Sequence, residues 1–156
     1  MTLTDDTATL PNGLTRDEAR AEAARAYELD RAHVFHSWSA QAEISPMTIT
    51  ASQGCHVWDG EGNRLLDFSS MLVNTNIGHQ HPKVVAAIAE QAATLCTVAP
   101  QHVNDARSEA ARLIAERTPG DLNRIFFTNG GADAVEHAVR MARLHTGRYK
   151  VLSRYR

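Results

Sequence analysis

Thr128-Asn129-Gly130-Gly131 stands between two unlike stretches. Before it lies an apolar, β-prone run, Ile125-Phe126-Phe127. After it the apolar residues Val135, Ala138, Val139 and Ala142 fall at helical spacing. A helix that starts directly after two glycines points unpaired backbone N–H groups at the turn, and its dipole adds partial positive charge there. Without side chains at Gly130 and Gly131 an anion reaches the backbone, so the pattern reads as a phosphate or carboxylate seat. Glycine-rich βα turns also arise from local geometry alone, and spacing leaves both readings open. Other chemistry-bearing residues are sparse. His33 and His36 form one close pair and His79 and His81 another, but neither has further ligands beside it, and a closed zinc site wants four. Lys83 and Lys150 are the two lysines. No G-x-x-x-x-G-K-[ST] or G-x-G-x-x-G phosphate loop occurs.

The elements that must position these residues follow in chain order. Residues 1–13 are rich in Thr and Asp, end in Pro11-Asn12-Gly13, and are expected to be a disordered tail. Thr15 with Glu18 three residues on is a capping box. The run to Val34 is rich in helix formers, with a thin apolar face of Ala19, Ala23, Ala26 and Tyr27 suited to docking on a larger body. Strands are expected at Met47–Thr50, Cys55–Trp58 and Arg64–Phe68, with a turn from Asp59 to Asn63. The first structured segment thus spans 14–75. From 76 to 156 the pattern changes to loop, helix and strand. Pro82 suits a first helical position, followed by a stripe of Val85, Ile88, Ala92 and Leu95. Asn104 or Asp105 caps the next helix, which Thr118-Pro119-Gly120 ends. Gly147 is placed as a C-terminal cap of the helix after the glycines, and Tyr149–Leu152 reads as another strand.

The 156 residues carry 43% hydrophobic residues and a formal net charge of −2. That is enough chain for a sizeable core, and it gives no electrostatic case for nucleic acid. No stretch approaches the ~20 apolar residues of a membrane span, and the N-terminus lacks the pattern of an export signal. Cys55 and Cys96 have no metal or redox spacing and read as reduced thiols, so the expected location is the cytoplasm.

Two segments carry a resemblance: FFTNGGADAVEHAVRMAR and, before it, LLDFSSMLVNTNIGHQHPKVVAAI. Both resemble the class III (ω-amino-acid) aminotransferases, pyridoxal-phosphate enzymes of fold type I. The first resembles their phosphate cup. The second resembles their D-x-x-x-G-x-x-x-x-x-x-G-H-x-H-P signature. The likeness runs from about Val34 to Arg156. It implies an α/β fold of which this chain is the N-terminal part: an N-terminal helix, a small antiparallel sheet, and the start of the large cofactor domain.

It further implies that Gly130, Gly131 and Ala132 bind the phosphate of pyridoxal 5'-phosphate. Trp38 and Met71 are implied to bind substrate, Trp38 by reaching across a homodimer; a core tryptophan is the other reading of Trp38. His79 and His81 would shape the loop before a helix. The family often has glycine where Ser70 or Met71 stands. The implied reaction moves an amino group from an ω-amino acid or amino sulfonate to a 2-oxo acid. Members acting on taurine, β-alanine or 4-aminobutyrate look most similar.

Neither Lys83 nor Lys150 matches the Schiff-base lysine, which in the family lies far downstream. The chain is therefore expected to be a fragment, inactive alone, with no catalytic residue of its own. In the family the strands at Arg124–Thr128 and Tyr149–Ser153 are not sheet neighbours, so both are expected to lack partners. Two alternatives remain: a non-catalytic remnant that binds a full-length paralogue, and an aminomutase or decarboxylase of the same fold.

Overall fold

Helix caps and tight turns decide which segments become regular. The structure is a computed structural model that describes residues 9–154. The chain divides into two compact units, Met1–Cys96 and Thr97–Arg156.

In the first unit, helix α1 (Arg16–His33) starts at Thr15, whose hydroxyl accepts the Glu18 N–H while the Glu18 carboxylate accepts the Thr15 N–H. This reciprocal box satisfies two donors that a bare helix end leaves open. Three antiparallel strands follow in the order β1 (Ile49–Gln53), β2 (His56–Asp59) and β3 (Arg64–Leu66). The expected strands therefore exist, shifted or shortened by one to three residues. Register pairs Ser52 with Val57 and Val57 with Leu65. The Asp59 carboxylate closes the β2–β3 turn by accepting the N–H groups of Glu61 (2.9 Å) and Asn63 (2.8 Å). A single turn, α2 (Ser70–Val73), and helix α3 (Pro82–Thr94), with proline in its first turn, complete the unit.

Its core is small: Leu10, Ala19, Ala51 and Trp58 cluster, with Ala23 and Val57 also buried. Of the expected tail, residues 1–8 lie outside the described residues. Residues 9–13 fold instead: Thr9 bridges Thr15, Leu10 exchanges backbone bonds with Leu14 and Gly13, and Leu10 is buried. One apolar side chain among polar neighbours is enough to draw this turn onto the core.

The second unit holds α4 (Asp105–Ala115), capped by the Asn104 side chain, and α5 (Gly131–Thr146). Gly147 ends α5 at φ 67°, the left-handed position that favours glycine. The strands expected at Ile125–Thr128 and Tyr149–Leu152 do not form; both segments are irregular. A strand exists only through its ladder, and no described segment of this unit pairs with either. No described residue of the unit is buried. Large side chains such as Phe126, Val135 and Leu144 lie exposed.

α1 sits on the β2–β3 turn at close range. A Cβ built on Gly60 would lie 2.8 Å from the Ala23 Cβ. Arg20 reinforces the approach through an ion pair with Glu61 at 2.8 Å. The small residue Ala23 thus serves the close approach rather than apolar area. Gly60→Ala should push the helix off the turn and lower unfolding stability by about 1–3 kcal/mol, the usual cost of overpacking. A urea midpoint that falls without a change of slope is the expected result.

Candidate active site

α5 begins at Gly131, with Gly130 as N-cap and no side-chain cap. The first intrahelical bond runs from the Ala134 N–H to the Gly130 carbonyl at 3.1 Å. The N–H groups of Gly131, Ala132 and Asp133 therefore meet no acceptor among the described residues. The Thr128 hydroxyl donates to the Gly130 carbonyl (3.1 Å), fixing the entry to the turn. Gly130 has φ −163°, extended backbone that any residue adopts. A Cβ added at Gly130 or Gly131 would meet nothing within 4 Å. Neither glycine is demanded by packing among the described residues, and the space above these donors is open. Three converging N–H groups at the positive end of a helix suit a phosphate dianion in charge and in donor number. The residues present therefore fit the phosphate of the implied cofactor.

Lys150 is far from this seat. The Arg143 guanidinium donates to the Tyr149 carbonyl at 2.9 Å, which holds that segment beside the last turn of α5. A helix of 16 residues is about 24 Å long. Lys83 lies in the other unit, in the first turn of α3.

Trp38 is 95% exposed and has φ 57°. It is not a core residue of this chain; the buried tryptophan is Trp58. The loop that carries it is braced from within. The Gln41 side chain accepts the His36 N–H (3.0 Å) and donates to the His36 carbonyl (2.6 Å), and Arg31 holds the Gln41 carbonyl (2.8 Å). His36 pairs with Asp30 at 2.7 Å.

Met71 lies in α2, where Ser70, Met71, Leu72 and Val73 have φ of 49°, 47°, 59° and 66°. The turn is wound left-handed. For L-residues this costs roughly 1–2 kcal/mol per residue. The resemblance flagged Ser70 and Met71 as places where glycine is common, and their positive φ supplies the reason. What the sequence reading missed is the device that holds the turn. One Asp67 oxygen accepts the Met71 N–H and the Ser69 hydroxyl, both at 3.2 Å, and the other pairs with His79 Nε2 at 2.8 Å. The side chains of His79 and Asp67 are 10% and 6% exposed. The available signal was an aspartate shortly before a run in which glycine is usual.

A concavity of about 750 Å³ in the first unit is lined by Asn12, Thr50, Ala51, Gln80, Pro82 and Val85 among others, and by none of the expected site residues. No group of three or more His, Cys, Asp or Glu gathers as for a metal among the described residues. No helix there is long and apolar enough to cross a membrane.

The hydrogen bond from His79 holds the Asp67 carboxyl below the ordinary aspartate range, with the Met71 N–H and Ser69 hydroxyl adding to it. A folded-state value below the unfolded one contributes stability above the ordinary aspartate value. That contribution is lost as pH falls through Asp67's own lower value. An acid titration of the Asp67 carboxyl carbon by NMR should give a midpoint below that of the unfolded chain, and Asp67→Asn should remove this part of the acid dependence of stability.

Comparison with known proteins bears on the same residues. The family described as Aminotransferase class-III matches residues 38–155. The chain is 41% identical over 108 residues to the acetylornithine aminotransferase of Methanopyrus kandleri, covering 69% of this chain and 28% of that protein. It is 37% identical over 113 residues to the 5-aminovalerate aminotransferase DavT of Pseudomonas aeruginosa, covering 71% of this chain and 26% of that one. Among solved structures, the taurine:2-oxoglutarate aminotransferase of Bifidobacterium kashiwanohense, in complex with PLP and glutamate, superposes with a TM-score of 0.77 at 38% identity. That match covers 81% of this chain and 28% of the other. The chain spans between a quarter and a third of the length of these relatives.

Proposed function

The chain belongs to the class III aminotransferases, and from that premise we propose that it is the part of a pyridoxal-phosphate transaminase that seats the cofactor phosphate. The observation that carries this is the open N-terminus of α5. The N–H groups of Gly131, Ala132 and Asp133 lack acceptors, and Gly130 and Gly131 leave the approach clear. Pyridoxal phosphate supplies the electron sink that amino-group transfer needs, and the protein supplies binding, orientation and electrostatics. Gly130, Gly131 and Ala132 hold the phosphate through backbone donors, and Thr128 keeps the turn in shape by its bond to the Gly130 carbonyl.

Trp38 and Met71 face substrate in this reading. Trp38 stands clear of its own chain on a braced loop, which suits a reach into the site of a second subunit in a homodimer. The donor is an ω-amino acid or amino sulfonate and the acceptor a 2-oxo acid. Support comes from the class of the relatives, which are named for taurine, acetylornithine and 5-aminovalerate. A cytoplasmic location goes with such metabolites.

The 156 residues hold no lysine set to bond the cofactor aldehyde. Lys150 sits a helix length from the phosphate seat, and Lys83 opens α3. The chain on its own is thus a seat without a proton-moving lysine. Purified residues 1–156 with added pyridoxal phosphate should transfer no amino group above the rate of free cofactor, and borohydride should trap no cofactor on Lys83 or Lys150. Specific trapping together with turnover would overturn this.

Binding at the seat has its own test. Gly131→Val places a branched side chain over the donors. Loss of charge-assisted bonds should weaken pyridoxal-phosphate binding about tenfold or more, read from amide shifts of Gly130 to Ala132 during titration. Trp38→Ala should leave stability within about 0.5 kcal/mol, as for an exposed site. In an active transaminase that contains these residues, the same change should shift substrate preference.

A further inference from the structure

Four successive non-glycine residues in a left-handed turn require a cause. The backbone bonds of α2 do not provide it. Val73 N–H to Ser69 carbonyl (2.9 Å) and Asn74 N–H to Ser70 carbonyl (2.8 Å) are bonds that a right-handed turn makes as well. L-residues prefer the right hand, so something outside the turn must select the left.

The selection is visible around Met71, whose peptide groups are held from both sides by side chains. Its N–H donates to Asp67 Oδ1 (3.2 Å), and its carbonyl accepts Asn74 Nδ2 (2.8 Å). Asp67 is itself immobilised. Its N–H donates to the Cys55 carbonyl (2.9 Å), next to the β-sheet. Its second carboxylate oxygen meets His79. His79 in turn exchanges two backbone bonds with Gly54, at 3.0 and 2.7 Å. The route from sheet to turn is therefore continuous: Gly54, His79, Asp67, Met71. With the Asp67 side chain nearly buried, its charge has few alternatives to these partners.

We propose that Asp67, backed by His79, is a positioning residue that selects the left-handed form of Ser70–Val73 and thereby fixes where Met71 stands. The consequence for catalysis rests on the reading of Met71 as a substrate-binding residue. The clamp itself does not. In substrate recognition such a clamp pre-pays the ordering of the segment, so the substrate meets a formed wall rather than a mobile one. Strain of this kind persists only where the surroundings over-determine it. Here Asp67 and Asn74 do so.

The test is amide hydrogen exchange by NMR on the 156-residue chain, without substrate. Asp67→Ala should speed exchange at Val73, Asn74 and Thr75 by about tenfold or more while the amides of β2 keep their protection. Met71→Gly removes the penalty for left-handed backbone at that position. Added to Asp67→Ala, it should restore a measurable part of the protection; a merely structural role for Asp67 would not be rescued by a glycine four residues away. Asp67→Asn tests the His79 backing by itself, since it keeps an acceptor for the Met71 N–H and loses the charge facing His79; it should speed exchange at 73–75 by less than Asp67→Ala does while the sheet stays protected. Unchanged exchange at 73–75 in the aspartate variant, or a glycine that restores nothing, overturns the proposal. Failure of Met71 as a substrate contact would leave these exchange rates as they are, so the two readings fail separately.

Discussion

Backbone N–H and C=O groups need partners, and where those partners are found decides nearly everything regular in this chain. β1, β2 and β3 pair with one another inside some twenty residues, so the small sheet closes locally. Thr15 with Glu18 and Asn104 complete the helix starts that have side-chain caps. The segments around Phe126 and Val151 find no ladder and stay irregular despite their β-prone residues. At the start of α5 the donors are left open among the described residues.

The apolar surface follows the same division. Leu10, Ala19, Ala51 and Trp58 form one small core under α1. Val84 and Ile88 on α3, and Met141 and Leu144 on α5, are exposed. Bare apolar residues on this scale mark interaction surfaces. The matched segments make up less than a third of each relative.

What was legible in the sequence is what local chemistry determines. The capping box at Thr15, the proline in the first turn of α3, the Asn104 cap and the Gly147 stop each depend on a few adjacent residues, and each appears where the residues place it. The hairpin was legible because its turn chemistry, Asp59 to Asn63, is local too. The two expected strands at 124–128 and 149–153 lack sheet partners, as the resemblance implied, and because strand formation is a property of pairs their β-prone residues stay irregular. The left-handed α2 was hidden for the opposite reason. Ser, Met, Leu and Val all favour other backbone regions, so propensity argues against what Asp67 and Asn74 enforce. The turn Thr9–Gly13 was obscured by its polar composition, which conceals one buried leucine.

α2 and α5 present the same physical problem with opposite solutions. Each turn begins with N–H groups that its own backbone does not satisfy. At α2 the chain supplies the anion itself: the Asp67 carboxylate sits on the Met71 N–H and is held there by His79. At α5 the chain has an acid within reach, Asp133 in the first turn, yet among the described residues no hydrogen bond joins its side chain to the donors of Gly131 and Ala132. Serine, threonine, asparagine or aspartate at the N-cap would have closed that end at a gain of about a few tenths of a kcal/mol over glycine. Glycine there forgoes the gain. A helix start that makes no use of its own capping chemistry, beside two glycines that the packing does not require, is consistent with an acceptor that comes from outside the chain. The internal carboxylate at α2 closes its own turn. The absence of side chains at Gly130 and Gly131 leaves the first donors of α5 open, and donors already fixed by a helix need no rearrangement to meet an acceptor.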